Sequence, residues 1–307
     1  MPPREILEDF YFIERGFLNG NHYIYSSKAP VLIDTGFITH WCRTKDLIAG
    51  VGVEISEVSL IISTHCHCDH VGGNKLIQEL SGCGVALHEL GKKYMDTRDD
   101  WETWWRYFDQ EPVFFDATRV LGDGEIIDIG PHSWEVIYTP GHARDAVALY
   151  NRAERLLISS DALWESDMPS MVPRIEGEDS LDKALESLDR LEGLDVKTVF
   201  PGHGPPFCDI ASAIEGSRKR IKGYIDSPER VGRDIVKKAI VFYLLMKNTV
   251  SEDSFFPRLM DTTWYRDTCD RLLGGEYEGV YKGIMDDFIE RGIVLRNDGA
   301  LSTVVRP

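Results

Sequence analysis

The sequence holds no CxxC pair and only six cysteines in 307 residues: Cys42, Cys66, Cys68, Cys83, Cys208 and Cys269. A zinc knuckle or thioredoxin-type dithiol is therefore unsupported, and so sparse a set reads as reduced thiols rather than a disulfide framework. No run approaches the roughly 18 uncharged apolar residues that a membrane-spanning helix needs. The opening MPPREILEDF puts no apolar stretch after its first charges, so no secretion signal is expected and the reading is a cytoplasmic protein with no membrane partner. Basic residues are also short: 34 Lys and Arg against 51 Asp and Glu, a net charge of −17. The deficit is local. Residues 1–212 hold 18 basic and 36 acidic side chains, whereas 213–307 hold 16 and 15. A body that acidic repels phosphate backbones, which excludes nucleic acid as the default partner.

What is present is ordinary globular material, 43% hydrophobic and 28% charged, enough for a substantial core. The length fits one large domain with an appendage. Short β-rich runs punctuated by turn residues (DFYFIERG, NHYIYSS, APVLIDTG, VSLIISTH, GVALHE) alternate with helix-like WCRTKDLIAG and NKLIQELSG, which predicts a layered α/β domain. A second set follows: GEIIDIG, SWEVIYTP, AVALYN, RLLISSD, the helix LDKALESLDRLEG and the strand VKTVFPGHG. From 212 the pattern is helical and ends in VLRNDGALSTVV, where Asn297-Asp298-Gly299 predicts a hairpin turn. Trp101, Trp104, Trp105 and Phe108 recur at i, i+3, i+4 and i+7, the spacing of one helix face. That stripe reads first as core, and otherwise as a lid over a site or a self-association surface.

Five of nine histidines lie in loops after predicted strands: His65, His67 and His70 in THCHCDH, His142 in TPGH and His203 in PGHG. Asp69 stands within the first group, and Asp161 follows LLISS. Imidazole and carboxylate suit zinc and similar first-row metals. At an extended strand end, residues i and i+2 point the same way, so His65 and His67 can close on one ion. Asp69 and His70, where the chain turns, can face a second, and the two oxygens of Asp161 can bridge both.

This set resembles the metallo-β-lactamase-fold superfamily, whose HxHxDH signature stands here as His65-Cys66-His67-Cys68-Asp69-His70. VLIDTG (31–36), VGGN (71–74), TPGH (139–142), SSDALW (159–164) and PGHGPP (201–206) also match in type and order, and the resemblance covers residues 7–210. It implies a four-layer αββα sandwich over residues 1–211, followed by a mainly helical, winged-helix-like region at 212–307. One metal would be held by His65, His67 and His142, and a second by Asp69, His70 and His203, with Asp161 bridging. The expected cofactor is a pair of divalent ions, zinc first, with iron or manganese also suited. The implied reaction is hydrolysis, a bridging hydroxide attacking a carbonyl carbon while metal charge stabilises the oxyanion and Asp69 orients the nucleophile.

Departures narrow the branch. A bridging Asp161 argues against antibiotic hydrolysis, His67 excludes the redox flavoprotein version, and an acidic catalytic region does not suit a nuclease. Quorum-quenching-type lactonases often carry Tyr where Trp164 stands, which weakens that alternative. What remains resembles the glyoxalase II-like hydrolases of thioesters and esters, acting on a small molecule. In many of these a helical segment after the sandwich walls the substrate site, so Arg218, Lys219, Arg220 and Lys222 are candidates for an anionic substrate tail, against the plainer reading of a solvated helix face. Trp164, Trp104 and Trp105 are the other candidate substrate contacts. Two competing readings are a mononuclear-iron persulfide dioxygenase using His65, His142 and Asp161, and a binding protein with a vestigial site. The second predicts missing ligands, and none is missing. Cys66 and Cys68 alternate with the ligands and are expected to pack away from the metals. Asp34 is expected to support the backbone near the site. His88, His22, His40 and His132 have no ligand context. The sequence is compatible with an oligomer.

Overall fold

A computed structural model describes residues 2–307. The first sheet runs in chain order: β1 (Arg4–Leu7), β2 (Phe10–Ile13), β3 (His22–Tyr25), β4 (Val31–Ile33), β5 (Leu60–Ile62), β6 (Gly84–His88) and β7 (Arg119–Leu121). Its first four strands are antiparallel neighbours, and β4 to β7 pair parallel through helical crossovers. The second sheet has the order β12-β11-β10-β9-β8, from β8 (Ile126–Ile129), β9 (His132–Tyr138), β10 (Val147–Asn151), β11 (Leu156–Ser160) and β12 (Thr198–Pro201). The helices α1 (Trp41–Ala49), α2 (Cys68–Val71), α3 (Asn74–Ser81) and α4 (Glu89–Thr97) belong to the first half. Beyond the second sheet's early strands lie α5 (Pro173–Glu176) and α6 (Ser180–Glu192).

Strand alternation builds the layers. Tyr23, Tyr25, Val31 and Ile33 face Trp134, Val147, Leu149 and Ile158 of the opposite sheet in one buried cluster. The intervening Ile24 and Leu32 point the other way, onto Leu47, Ile48 and Ile77 of α1 and α3. On the second sheet Ala148, Tyr150 and Leu157 turn outward onto Leu188 and Leu191 of α6. Period-two side-chain direction on central strands that are apolar on both faces, such as Val31–Ile33, Leu60–Ile62 and Val147–Asn151, places helices on both outer faces, which is the αββα sandwich.

The remaining helices are α7 (Ile210–Asp226), α8 (Pro228–Lys247), α9 (Glu252–Asp261), α10 (Thr263–Leu272) and α11 (Tyr277–Glu290). A small sheet of order β13-β15-β14 completes this region, from β13 (Val250–Ser251), β14 (Val294–Asn297) and β15 (Ala300–Thr303). The hairpin turn falls at Asn297–Ala300, with Asp298 and Gly299 both at positive φ. These helices share one continuous apolar cluster with the outer face of the second sheet, so they lie against the sandwich rather than apart from it.

The tryptophan-rich segment differs from expectation. Residues 101–109 form successive turns, not a helix, and Trp104 and Asp109 stand at positive φ. The i, i+3, i+4, i+7 spacing is present, but left-handed residues within it break the helical hydrogen-bond ladder. Its side chains consequently diverge: Trp105 is fully buried against Phe114 in the core beneath the first sheet, while Trp104 and Phe108 turn toward a cavity. The segment is thus part core and part wall. Among the described residues, no helix is long and apolar enough to cross a membrane, and all six cysteines are free.

Candidate metal centre

The ligand candidates all leave strand ends on the same edge of the sandwich. β5 runs into Ser63, Thr64 and His65, and His67 precedes α2, which carries Asp69 and His70. His142 lies on the loop between β9 and β10, Asp161 follows β11 directly, and His203 follows β12. Loops at the ends of a rigid sheet place side chains accurately while leaving them reachable.

Their atoms converge. Asp161 Oδ2 stands 3.3 Å from His142 Nε2, 3.5 Å from His70 Nε2, 3.9 Å from His65 Nε2 and 4.0 Å from His203 Nε2. Asp69 Oδ2 lies 3.2 Å from His203 Nε2 and 3.8 Å from His70 Nε2. His67 Nδ1 approaches His142 Nε2 at 2.9 Å. Three groups result in which every ligand atom lies within 4.8 Å of the others: His65–His67–His142, His65–His70–Asp161 and Asp69–His70–His203. Nε2 of His65 and of His70, both turned to Asp161 Oδ2, is buried without a hydrogen-bond partner. Orphaned buried nitrogens are costly, and a cation between them and the carboxylates removes that cost, so the donor set fits a metal pair.

Outer partners fix each ring. His142 Nδ1 donates to Ser170 O at 2.8 Å and His203 Nδ1 to Gly16 O at 2.9 Å. His70 Nδ1 donates to Asp34 Oδ2 at 2.8 Å. Thr64 donates its backbone N–H to Asp34 Oδ1 and its hydroxyl to Asp34 Oδ2, both at 2.8 Å. With its one proton so used, Thr64 Oγ1 accepts from Ser160 Oγ at 2.8 Å and from His65 Nδ1 at 3.1 Å, which saturates a hydroxyl. Nε2 of these four rings is thereby left as the lone-pair nitrogen aimed inward. In His67 the roles reverse, with Nδ1 converging and Nε2 4.0 Å from Glu176 Oε1. Asp34 and Ser160, at the ends of β4 and β11, hold positive φ, a strained backbone of the kind that collects at functional sites. Two glycines are required by close approach: a Cβ on Gly202 would lie 1.9 Å from Asp161 Oδ1, and one on Gly20 2.5 Å from the His70 ring.

The electrostatics split the set. Burial and neighbouring imidazoles hold His65 and His67 well below the usual histidine range, so both stay neutral. Burial also opposes charge on His70 and His203, but Asp161 beside both, with Asp34 and Asp69 on His70 and Asp69 on His203, outweighs it and raises them. Burial would raise Asp161 and Asp69; the same two histidines outweigh it and hold both carboxylates low. Without metal, protons on His70 and His203 supply the positive charge that the two acids need.

A cavity opens over this floor. Trp164 lines it and donates Nε1–H to Asp161 Oδ1 at 3.2 Å. Trp104 lies on the His67 ring with centroids 3.9 Å apart, and its Nε1–H donates to Glu176 Oε1 at 2.5 Å. The opposite wall comes from α8 and Trp264 of α10.

A family model for the metallo-beta-lactamase superfamily matches residues 15–203. The chain belongs to that superfamily. Among curated relatives, it is 28% identical over 222 residues to an acyl-coenzyme A thioesterase of Gallus gallus, covering 63% of this chain and 76% of that protein. It is 25% identical over 283 residues to the probable metallo-hydrolase YqjP of Bacillus subtilis, covering 81% and 86%. Among solved structures, a metallo-beta-lactamase family protein from Thermus thermophilus superposes with a TM-score of 0.62 at 21% identity, covering 97% of this chain and all of that one. Superfamily membership and these relatives support a metal-dependent hydrolase.

Within the superfamily fold, several expected contacts lie elsewhere. Arg218 pairs with Asp189 and with Glu192 Oε2 at 2.8 Å, and Arg220 pairs with Asp167 at 2.6 Å. Neither lines the cavity, because α7 turns Arg218 toward α6 and Arg220 toward the Ser166–Asp167 loop. Trp105 is in the core, as described above, and Cys68 lines the cavity wall instead of packing away from it, since α2 begins there and breaks the strand alternation. Cys66 is buried as expected. His88 stacks on Tyr138 at 4.3 Å and caps α4, and His22, His40 and His132 bond to Arg15, Asn19 and the Glu8 carbonyl, off the centre. Glu176 is a site residue that the sequence does not announce. Its buried carboxylate receives Trp104 and, at 2.6 Å, the Arg144 backbone N–H, yet VPRIEG carries no pattern that marks it.

Asp145 is a second buried acid beside the ligand loops. Its Oδ2 has no hydrogen-bond partner, and burial pushes its pKa up to about 6. An acid raised by folding stabilises the fold while protonated. That contribution is complete below the unfolded value of about 3.9 and is lost as pH rises through the folded value. About two pH units correspond to about 3 kcal/mol. Asp145→Asn is therefore expected to gain stability relative to the parent protein by up to about 3 kcal/mol between about pH 4 and pH 7, read by denaturant unfolding of both metal-free proteins. Parallel stability profiles would refute this.

Proposed function

We propose that this protein is a dinuclear metal-dependent hydrolase that cleaves a thioester or related ester, with zinc as the first metal to test. The observation that carries the reading is Asp161 Oδ2, standing within 3.3–4.0 Å of four histidine nitrogens drawn from both ligand groups. An oxygen so placed would serve two ions. In this reading His65, His67 and His142 hold one ion, Asp69, His70 and His203 the other, and Asp161 is shared. When bound, such a pair lowers the pKa of water and polarises a carbonyl oxygen. The protein's own groups do the rest. Asp69 turns Oδ2 to His70 and His203, which leaves Oδ1 to accept a proton from the attacking water at the cavity floor. Trp164 holds the Asp161 carboxylate through its indole N–H. Trp104, braced by Glu176, holds the His67 ring and limits water at the floor. The thioesterase among the relatives supports a thioester as the first substrate class.

The test is metal content of protein purified without added metal, followed by hydrolysis of a thioester, ester and lactone panel before and after chelation. Two ions per chain are expected, with thioester turnover lost on chelation and restored by zinc or manganese. A single iron with oxygen uptake on persulfides would replace this reading with the dioxygenase.

A further inference from the structure

We infer that the cavity selects substrates by an uncharged, apolar acyl group seated against α8, and that this helix face sets acyl specificity. The inference deepens the hydrolase reading and rests on it for the reaction. Ala239, Phe242, Tyr243 and Met246 recur at i, i+3, i+4 and i+7 on α8, and all four line the cavity while remaining partly exposed. Phe108 and Trp264, with ring centroids 6.1 Å apart, line the same cavity. Apolar side chains left uncovered on one helix face inside a cavity gain free energy when an apolar ligand displaces their water.

Charge excludes the alternative. Among the described residues, and apart from the ligand histidines, the one cation in the cavity wall is Lys238, and it is already satisfied. Its Nζ donates to Met168 O at 2.6 Å and to Asp234 Oδ2 at 2.8 Å, and the side chain is only 12% exposed. Arg218 and Arg220, the basic residues that an anionic tail would need, are committed to surface carboxylates. A carboxylate at the far end of an acyl chain would thus be desolvated among aromatic rings with no cation to pair it.

The experiment uses the metal-loaded protein and N-acetylcysteamine thioesters in two series, one neutral (butanoyl, hexanoyl, octanoyl) and one ending in a carboxylate (succinyl, adipoyl, suberoyl). The neutral series is expected to gain about fourfold in kcat/KM per methylene, the equivalent of ~0.8 kcal/mol of buried CH₂. Octanoyl should exceed suberoyl by about 100-fold or more. Ala239→Lys, which adds an unpaired ammonium to the α8 face, should cut that preference by about tenfold or more. Calorimetric binding of the non-hydrolysable thioether S-octyl-N-acetylcysteamine and its ω-carboxylate to the parent protein gives a readout independent of turnover and of the variant's folding. Tight binding of the neutral thioether alone, with no thioester hydrolysed, would uphold the apolar acyl site and sink the hydrolase reading. Hydrolysis with a flat series, a preference for carboxylated chains, or equal binding of both thioethers would overturn the inference. Failure of the neutral thioether to bind would overturn it as well.

Discussion

Asp161→Asn is expected to lower metal content to one ion or fewer per chain and to reduce turnover by orders of magnitude. Among the described residues, Asp161 Oδ2 is the one carboxylate oxygen that faces His65, His70, His142 and His203 together. An amide oxygen in its place carries no full charge and binds two cations poorly. The loss reaches the metal-free protein too, because the charge that keeps His70 and His203 protonated is gone and both rings shift toward neutral. Plasma mass spectrometry and steady-state kinetics check this together. Near-parental activity with two ions bound would sink the bridging assignment.

Asp34→Ala is expected to be the most damaging change at a residue that is not itself a proposed metal ligand. The side chain is 2% exposed and accepts from Thr64 N, Thr64 Oγ1 and His70 Nδ1, each at 2.8 Å. Truncation leaves three buried donors without an acceptor and removes the counter-charge beside the His70 ring. Removing one partner of a buried charged network costs about 3–5 kcal/mol, and loss of an outer hydrogen bond to a ligand weakens metal binding by about 10–100-fold. Denaturant unfolding of the metal-free protein measures the first effect and a chelator competition the second. Asp34→Asn keeps an oxygen for Thr64 N–H and should fall between the parent and Asp34→Ala. Unchanged unfolding in Asp34→Ala would show that the network is dispensable.

The contrast between Trp104 and Trp105 shows where reading the chain reaches its limit. Both sit on one apparent helical stripe, and periodicity alone places them side by side. Positive φ at Trp104 breaks that helix and sends one ring onto His67 and the other into the core. A left-handed residue leaves no mark in the sequence when it is neither glycine nor asparagine. Arg218 and Arg220 make the same point about charge. Their clustering is plain, but their partners Asp189, Glu192 and Asp167 lie 26 to 53 positions away along the chain, and only folding brings them close. Cys68 departs from expectation for a local reason, since strand alternation ends where α2 starts.

The layered α/β pattern and the His65–His67 pair are readable from the chain by short-range rules, whereas the four-layer sandwich and the full set of seven candidate ligands follow from the resemblance to the superfamily. Apolar runs with β-branched residues mark strands buried on both faces, and a ligand spacing of i and i+2 at a strand end needs no long-range information. Asp34 is legible as a support for the same reason, lying at the end of its own strand. Which acyl group the site accepts is a different kind of quantity. It depends on α8 presenting Phe242, Tyr243 and Met246 beside ligands as distant in the chain as His67, on Glu176 bracing Trp104 from α5, and on Lys238 being neutralised within its own helix. Those are facts of packing between distant segments, and packing is decided by the whole buried surface at once rather than by any window of the chain.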